Sequence, residues 1–193
     1  MPQPEAVSPH VILGIDPGLQ VMGYGLVEEA AGAFQVRDYG AVIPPHKADL
    51  PERLRILHDG VRRLIDRWQP EEVALEDFVV GHVRAAVALG EARAVVILAA
   101  AQAGLPVYLY KPAEVKQLVA SYGRGGKEQV QEMVRLLLGM REAPQPQDAA
   151  DALAVALCHC FRRRARTLLE GWPPATPLSP AGGHARIEKE AEL

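Results

Sequence analysis

Asp16, Glu76, Asp148 and Asp151 are the residues whose types and placement could do chemistry. Asp16 stands where the apolar run from His10 to Ile15 stops at Asp-Pro-Gly, a turn-forming sequence. Glu76 follows Val73-Ala74-Leu75 at the end of a second short apolar run, and Asp148 and Asp151 open a helical pattern after Pro146. Each position lets a carboxylate lean into the same space above one edge of a sheet. Like charges held that close cannot all stay ionised unless a cation shares them. Hard divalent cations with oxygen ligands answer that requirement. A pair of such ions is an arrangement that hydrolyses phosphodiester bonds.

Each carboxylate also has a plainer explanation. Asp16 alone could simply form the turn. A charged Glu76 in a central strand needs a partner, because burying a bare carboxylate is costly. Asp77 points to the opposite face if the strand continues, and is not counted as a ligand. Capping and dipole compensation account for one acidic residue at a helix start. They account less well for Asp148 and Asp151 together, three apart on one face of a helix otherwise built from Ala149, Ala150, Ala152, Leu153, Ala154, Val155, Ala156 and Leu157.

The elements that must position these groups follow from periodicity. His10 to Ile15, Gln20 to Glu28 and Phe34 to Ile43 read as three strands joined by short turns, an antiparallel meander ended by Pro44-Pro45. Leu54, Leu57, Val61, Leu64, Ile65 and Trp68 recur at helical steps within Leu50 to Trp68. Glu72 to Glu76 is then a buried strand, reached by a crossover that makes it parallel to a neighbour. Arg84 to Gly104 is helical and apolar nearly all round, so both its sides need cover. One side can pack on the sheet, and the other meets either a second copy of the chain or another helix of its own. Val107 to Tyr110 is a fifth strand, and Pro112 opens a short helix. A glycine-rich loop at Tyr122 to Gly126 precedes helices over Lys127 to Leu138 and Asp148 to Arg166. The fold class expected is α/β, a five-stranded mixed sheet whose first three strands are antiparallel and whose other two are parallel, flanked by helices.

Size and composition bound the rest. A chain of 193 residues, 49% apolar, suits one domain over residues 10–168. Residues 1–9 are expected to be a flexible N-terminus. Residues 169–193, rich in proline and glycine, are expected to be a disordered tail. No run of about 18 uncharged apolar residues occurs, so no membrane span is expected. The N-terminus lacks the basic start and apolar stretch of a secretory signal, from which a cytoplasmic location is expected. Cys158 and Cys160 flank His159 at a spacing unsuited to zinc or to a mutual disulfide, and read as small hydrophobes in a reducing compartment. A net charge of −3 does not advertise a nucleic-acid binder, although arginines gather at Arg53 to Arg67 and Arg162 to Arg166.

The pattern as a whole resembles a known family. Asp16 on a first strand, Glu76 on a fourth and an aspartate pair on a last helix match the ribonuclease-H-like nuclease arrangement. Ile12-Leu13-Gly14-Ile15-Asp16-Pro17-Gly18, followed by Gly23-Tyr24-Gly25, resembles the opening of RuvC-type Holliday junction resolvases. So do Leu89-Gly90-Glu91-Ala92-Arg93, Val115-Lys116-Gln117, Lys127 with Gln129-Val130, and Asp148-Ala149-Ala150-Asp151-Ala152-Leu153-Ala154, in the family's order across about residues 10 to 165.

The resemblance implies a homodimeric, magnesium-dependent endonuclease that cuts two opposed strands of a four-way DNA junction in recombination and repair. It implies a two-metal site, with Mn2+ able to substitute for Mg2+, and work beside the RuvA–RuvB branch-migration complex. It assigns Asp16, Glu76, Asp148 and Asp151 as metal ligands and catalytic residues. Lys116 and Lys127 align with family lysines near the site, where they can hold phosphates. Arg84, Tyr122 and Arg124 are the other expected DNA contacts, the last two in a loop that follows the backbone. The family usually places an aromatic residue three positions after the strand glutamate. Here Phe78 comes two positions after Glu76, and the segment to Gly90 is one residue shorter, which leaves three alternatives: Phe78 takes the stacking role, His82 takes it, or neither does and Phe78 packs in the core. Two other readings stand beside this one. An actin-like ATPase or phosphotransferase also ends its first strand in Asp-x-Gly, but 193 residues leave no room for its second lobe. A junction-binding protein without nuclease activity is the other.

Overall fold

The computed structural model describes residues 9–30, 32–77, 83–120, 126–168 and 177–178. The sheet has the order β3-β2-β1-β4-β5. β1 (His10–Asp16), β2 (Met22–Ala30) and β3 (Ala33–Val42) form the antiparallel meander. β4 (Glu72–Glu76) and β5 (Val107–Tyr110) extend it in parallel beyond β1. The mixed sheet expected from the sequence is therefore present, with β2 starting two residues later than its alternation indicated.

Strand alternation divides the core into two layers. Leu13, Ile15, Val73 and Leu75 face one way, against α1 (Leu50–Trp68) and α2 (Val83–Gln102). Ile12 and Ala74 face the other way, against α5 (Gln147–Leu168), with α3 (Pro112–Ala120) and α4 (Lys127–Leu137) beside it. The period of two in a strand makes this inevitable once either face is buried. It also puts His10, Asp16, Glu72 and Glu76 on the α5 face, because they share the parity of Ile12 and Ala74.

Local signals set the helix limits. Asp49 caps α1, its side chain accepting from the Glu52 N–H at 3.0 Å, and proline stands at the favoured first turn. Gln69 ends it in the left-handed region at φ 46°, and its side-chain amide donates to the Asp66 carbonyl at 2.9 Å. α2 stops short of Gly104, which takes a φ of 71° while Ala103 and Gly104 close tight turns onto Ala100 and Ala101.

One side of α2 packs through Ala92, Val95, Val96, Ala99 and Ala100. On its other side Val83, Val87 and Leu98 are 79, 56 and 53% exposed. Among the described residues, then, no helix of the same chain covers that side fully. No described helix is long and apolar enough to cross a membrane.

The arginine clusters are largely committed within the fold. Arg162 pairs with Glu114 of α3, Arg163 with Glu29 of β2 at 3.0 Å, and Arg164 donates to the Gly32 carbonyl at 3.0 Å. They brace α5 against its neighbours. Of the expected tail, Pro177 and Leu178 are described, and the Leu178 N–H donates to the Val107 carbonyl of β5 at 2.8 Å. The rest of that expectation, and all but Pro9 of the N-terminal segment expected over residues 1–9, lie outside the described residues.

Candidate active site

The parallel register of β1 and β4 aligns Ile15 with Leu75, so Asp16 and Glu76 leave the same end of the sheet side by side. β2 returns along β1 with Gly23 opposite Asp16 and Gly25 opposite Gly14. Those glycines decide how close α5 can come. A Cβ on Gly14 would fall on the Ala152 carbonyl oxygen, and one on Gly23 on the Asp148 carbonyl oxygen. With no side chain there, the α5 backbone lies directly on the sheet, and the alanines of its inner face complete the contact. The first turns of α5, carrying Asp148 and Asp151, are thereby laid over the ends of β1 and β2.

The electrostatics record the convergence. The Asp16 carboxyl is pushed up to about 8 by burial first, then by the charges of Glu76 and Asp151, a side-chain hydrogen bond with Glu76, and the charge of Asp148. The other three carboxylates therefore all act on Asp16. Two carboxyl groups can hydrogen bond only by sharing a proton, since an ionised one has no hydrogen to give. A proton held this way between carboxylates occupies the role a cation takes.

Among the described residues, no three His, Cys, Asp or Glu side chains are already gathered into a coordination shell. The chemistry of the donor set still fits a divalent cation. It is all oxygen, mutually repulsive, and opens on a cavity of about 180 Å³ lined by Asp16, Glu76, Asp151, Lys116, Pro112, Val115, Val130 and Ala154. Asp148 lines a different cavity, with Gly18, Leu19, Gln20, Val21, Leu50, Arg53 and Ala88. The Arg53 guanidinium pins the loop there, donating to the Leu19 carbonyl at 3.2 Å and the Ala48 carbonyl at 3.1 Å.

The other expected site residues divide cleanly. Lys116 of α3 is brought to the cavity with three of the carboxylates. Lys127 begins α4, three residues before Val130 of the cavity wall, and its side chain lies outside what is described. Arg84 sits exposed on the first turn of α2. Phe78, His82, Tyr122 and Arg124 lie outside the described residues. Asp77, set aside as a ligand, points to the α2 side and pairs with Arg93 at 2.9 Å.

Sequence reasoning missed a partly buried polar cluster on the same face. Glu72 Oε2 receives both His10 Nε2 at 3.0 Å and His159 Nε2 at 2.7 Å, while the Tyr110 hydroxyl meets His159 Nδ1 at 2.6 Å. Burial alone would raise the Glu72 carboxyl, but the hydrogen bonds and charges of the two histidines hold it well below the ordinary carboxylate range. The available signal was a histidine within an apolar helix and a glutamate opening a buried strand, each in need of a partner. Cys158 and Cys160 beside it are buried free thiols, raised by that burial to about 12 and to the far alkaline side respectively.

Comparison with known proteins agrees with this geometry. The family model described as "Crossover junction endodeoxyribonuclease RuvC" matches residues 12–159. A curated crossover junction endodeoxyribonuclease RuvC of Chloroflexus aggregans is 51% identical over 150 residues, 77% of this chain and 92% of that protein. Among solved structures, T. thermophilus RuvC in complex with a Holliday junction substrate superposes with a TM-score of 0.79 at 38% identity, covering 88% of this chain and 99% of that one. The yeast mitochondrial Holliday junction resolvase Ydc2, at 12% identity and a TM-score of 0.55 over 82% of this chain and 86% of its own, shares the fold. The actin-like reading is set aside by these matches. Carrying the family's pattern from residue 12 to residue 159 on the family's ribonuclease-H-like fold, this chain belongs to the RuvC crossover junction endodeoxyribonucleases.

Proposed function

We infer that the chain is a structure-specific endonuclease that resolves four-way DNA junctions by paired nicks in opposing strands during homologous recombination and repair. It works as a homodimer in the cytoplasm, with two Mg2+ ions for which Mn2+ substitutes, beside the RuvA–RuvB branch-migration complex. Asp16, Glu76, Asp148 and Asp151 hold the cations. The observation that carries this reading is the cavity at the sheet edge, where Asp16 of β1, Glu76 of β4 and Asp151 of α5 face one space together with Lys116.

Bound divalent cations supply activation of the attacking water and neutralisation of charge on the leaving 3′ oxygen. The chain's own residues do the rest. Asp16 and Glu76 would hold the cations at the sheet edge, and Asp148 and Asp151 would hold them from α5, so that the phosphate is drawn to a fixed place. Lys116, on the cavity wall, holds a phosphate oxygen and steadies negative charge as it develops. Lys127, Arg84, Tyr122 and Arg124 follow the DNA backbone, and Phe78 or His82 stacks in the junction. The exposed apolar side of α2 meets its copy in the partner subunit. Two sites related by a two-fold axis suit a junction that is itself nearly two-fold.

A synthetic four-way junction incubated with the protein and Mg2+ tests the reading. Matched nicks in opposing strands support it. ATP turnover without cleavage, or junction binding without cuts at any Mg2+ or Mn2+ concentration, would overturn it.

A further inference from the structure

The three elements that carry the four carboxylates are tied together a second time, at their opposite end. His10 lies six residues before Asp16 on β1, Glu72 four residues before Glu76 on β4, and His159 eight residues after Asp151 on α5. Even spacing on each strand keeps both members of a pair on the α5 face. The separations are about 13 Å along β4 and about 20 Å along β1 at strand rise, and about 12 Å along α5 at helix rise. Glu72 thus meets, at one end of this face, the same elements whose acidic residues meet at the other.

We propose that His10, Glu72 and His159 are positioning residues for the cation site, a clasp that holds β1, β4 and α5 in register so that their carboxylates converge. The proposal rests on the reading that those carboxylates bind cations.

The contacts between α5 and the sheet near the site are made largely by alanines and glycines. Apolar contact of that kind is non-directional and fixes neither the slide nor the roll of a helix. A hydrogen bond is directional, and one to a charged acceptor is the stronger kind. An ionised carboxylate only accepts, so both Nε2 atoms donate to the single oxygen Glu72 Oε2. Tyr110 of β5 then fixes the His159 ring through Nδ1, and the Tyr108 ring packs against it at 4.6 Å between centroids. His159 is only 3% exposed, so its ring has little freedom to turn. The bond joins residues 87 positions apart in the chain, across the interface whose geometry sets where Asp148 and Asp151 lie. A merely structural role would make the cluster matter for melting temperature alone.

The test measures Mn2+ binding to the metal-free full-length protein by calorimetry, junction binding without metal, and nicking as a function of Mg2+. His159→Leu removes the donor, and His159→Gln keeps an N–H at similar reach. The expected result is that His159→Leu weakens Mn2+ binding about tenfold and shifts the Mg2+ dependence of nicking by a similar factor, as loss of groups behind metal ligands does. Junction binding without metal stays unchanged, and His159→Gln recovers Mn2+ affinity to within about threefold of wild type. Should His159→Leu fail to fold by circular dichroism, Glu72→Gln takes its place with the same expectation. A folded variant that melts lower yet binds Mn2+ as tightly as wild type overturns the clasp and leaves the cation reading intact. A wild-type protein that binds no Mn2+ overturns both.

Discussion

Asp16 and Glu76, at the ends of adjacent parallel strands, share a hydrogen bond from carboxyl to carboxyl. Sixty residues of chain separate them, and only the pairing of Ile15 with Leu75 brings them together. Such a bond requires a proton, and α5 adds two further acidic residues to the same field.

The first prediction concerns pH. Asp16 is raised from 3.8 to about 8 in the folded protein, chiefly by burial, so between those values the native state holds a proton that the unfolded chain has released. Its contribution to stability is fully present below about pH 4 and is lost as pH rises through about 8. Glu72 is shifted the other way, and its contribution is lost only as pH falls below the ordinary carboxylate range. In chelator, the melting temperature of wild type should therefore fall relative to that of Asp16→Asn between pH 5 and pH 8. Divalent cations, which compete with that proton, should stabilise wild type more at pH 8 than at pH 5. Parallel melting curves for the two proteins across this range would refute the assignment.

Asp16→Asn keeps the shape of the side chain while removing a charged ligand. It should leave folding and junction binding intact and abolish nicking. Cleavage by this variant at near wild-type rate would mean that the catalytic assignment is wrong.

Lys116→Ala should lower the nicking rate roughly 100-fold at saturating junction, the usual effect of removing one group that meets developing charge. Its melting temperature should not change, because Lys116 lines a cavity and is not part of the core. A rate loss that vanishes at saturating junction would assign Lys116 to binding alone.

Gly23→Val would drive a side chain into the Asp148 carbonyl. Overpacking of this kind costs ~1–3 kcal/mol, and here it also lifts the start of α5 off the sheet. The expected outcome is a destabilised protein whose Mn2+ affinity falls more than its junction affinity. Denaturant unfolding and calorimetry on the same samples separate the two effects.

Leu98→Glu places a charge on the exposed apolar side of α2, where Leu98 is 53% exposed. Wild type should scatter light as a dimer at micromolar concentration, and the variant as a monomer that remains folded. A monomeric wild type would count against the paired-nick reading.

The sequence by itself determined the elements and the ends at which acids stand. Apolar runs stopped by Asp16 and Glu76, the helical period through Leu57, Val61 and Ile65, and the alanine-rich stretch after Asp148 are local patterns, and local patterns report local structure. The family's segments, in order, carried the functional expectation. Only the tertiary structure decided which acids interact, because that depends on strand register and on Gly14 and Gly23 admitting the α5 backbone. It also decided that Arg162 and Arg163 brace α5, where charge clustering alone had left DNA open to them. His10, Glu72 and His159 carry no motif. Their meeting on one oxygen arises from β1, β4 and α5 sharing a face, and hydrogen bonds between residues so distant in the chain leave no period in the sequence to find.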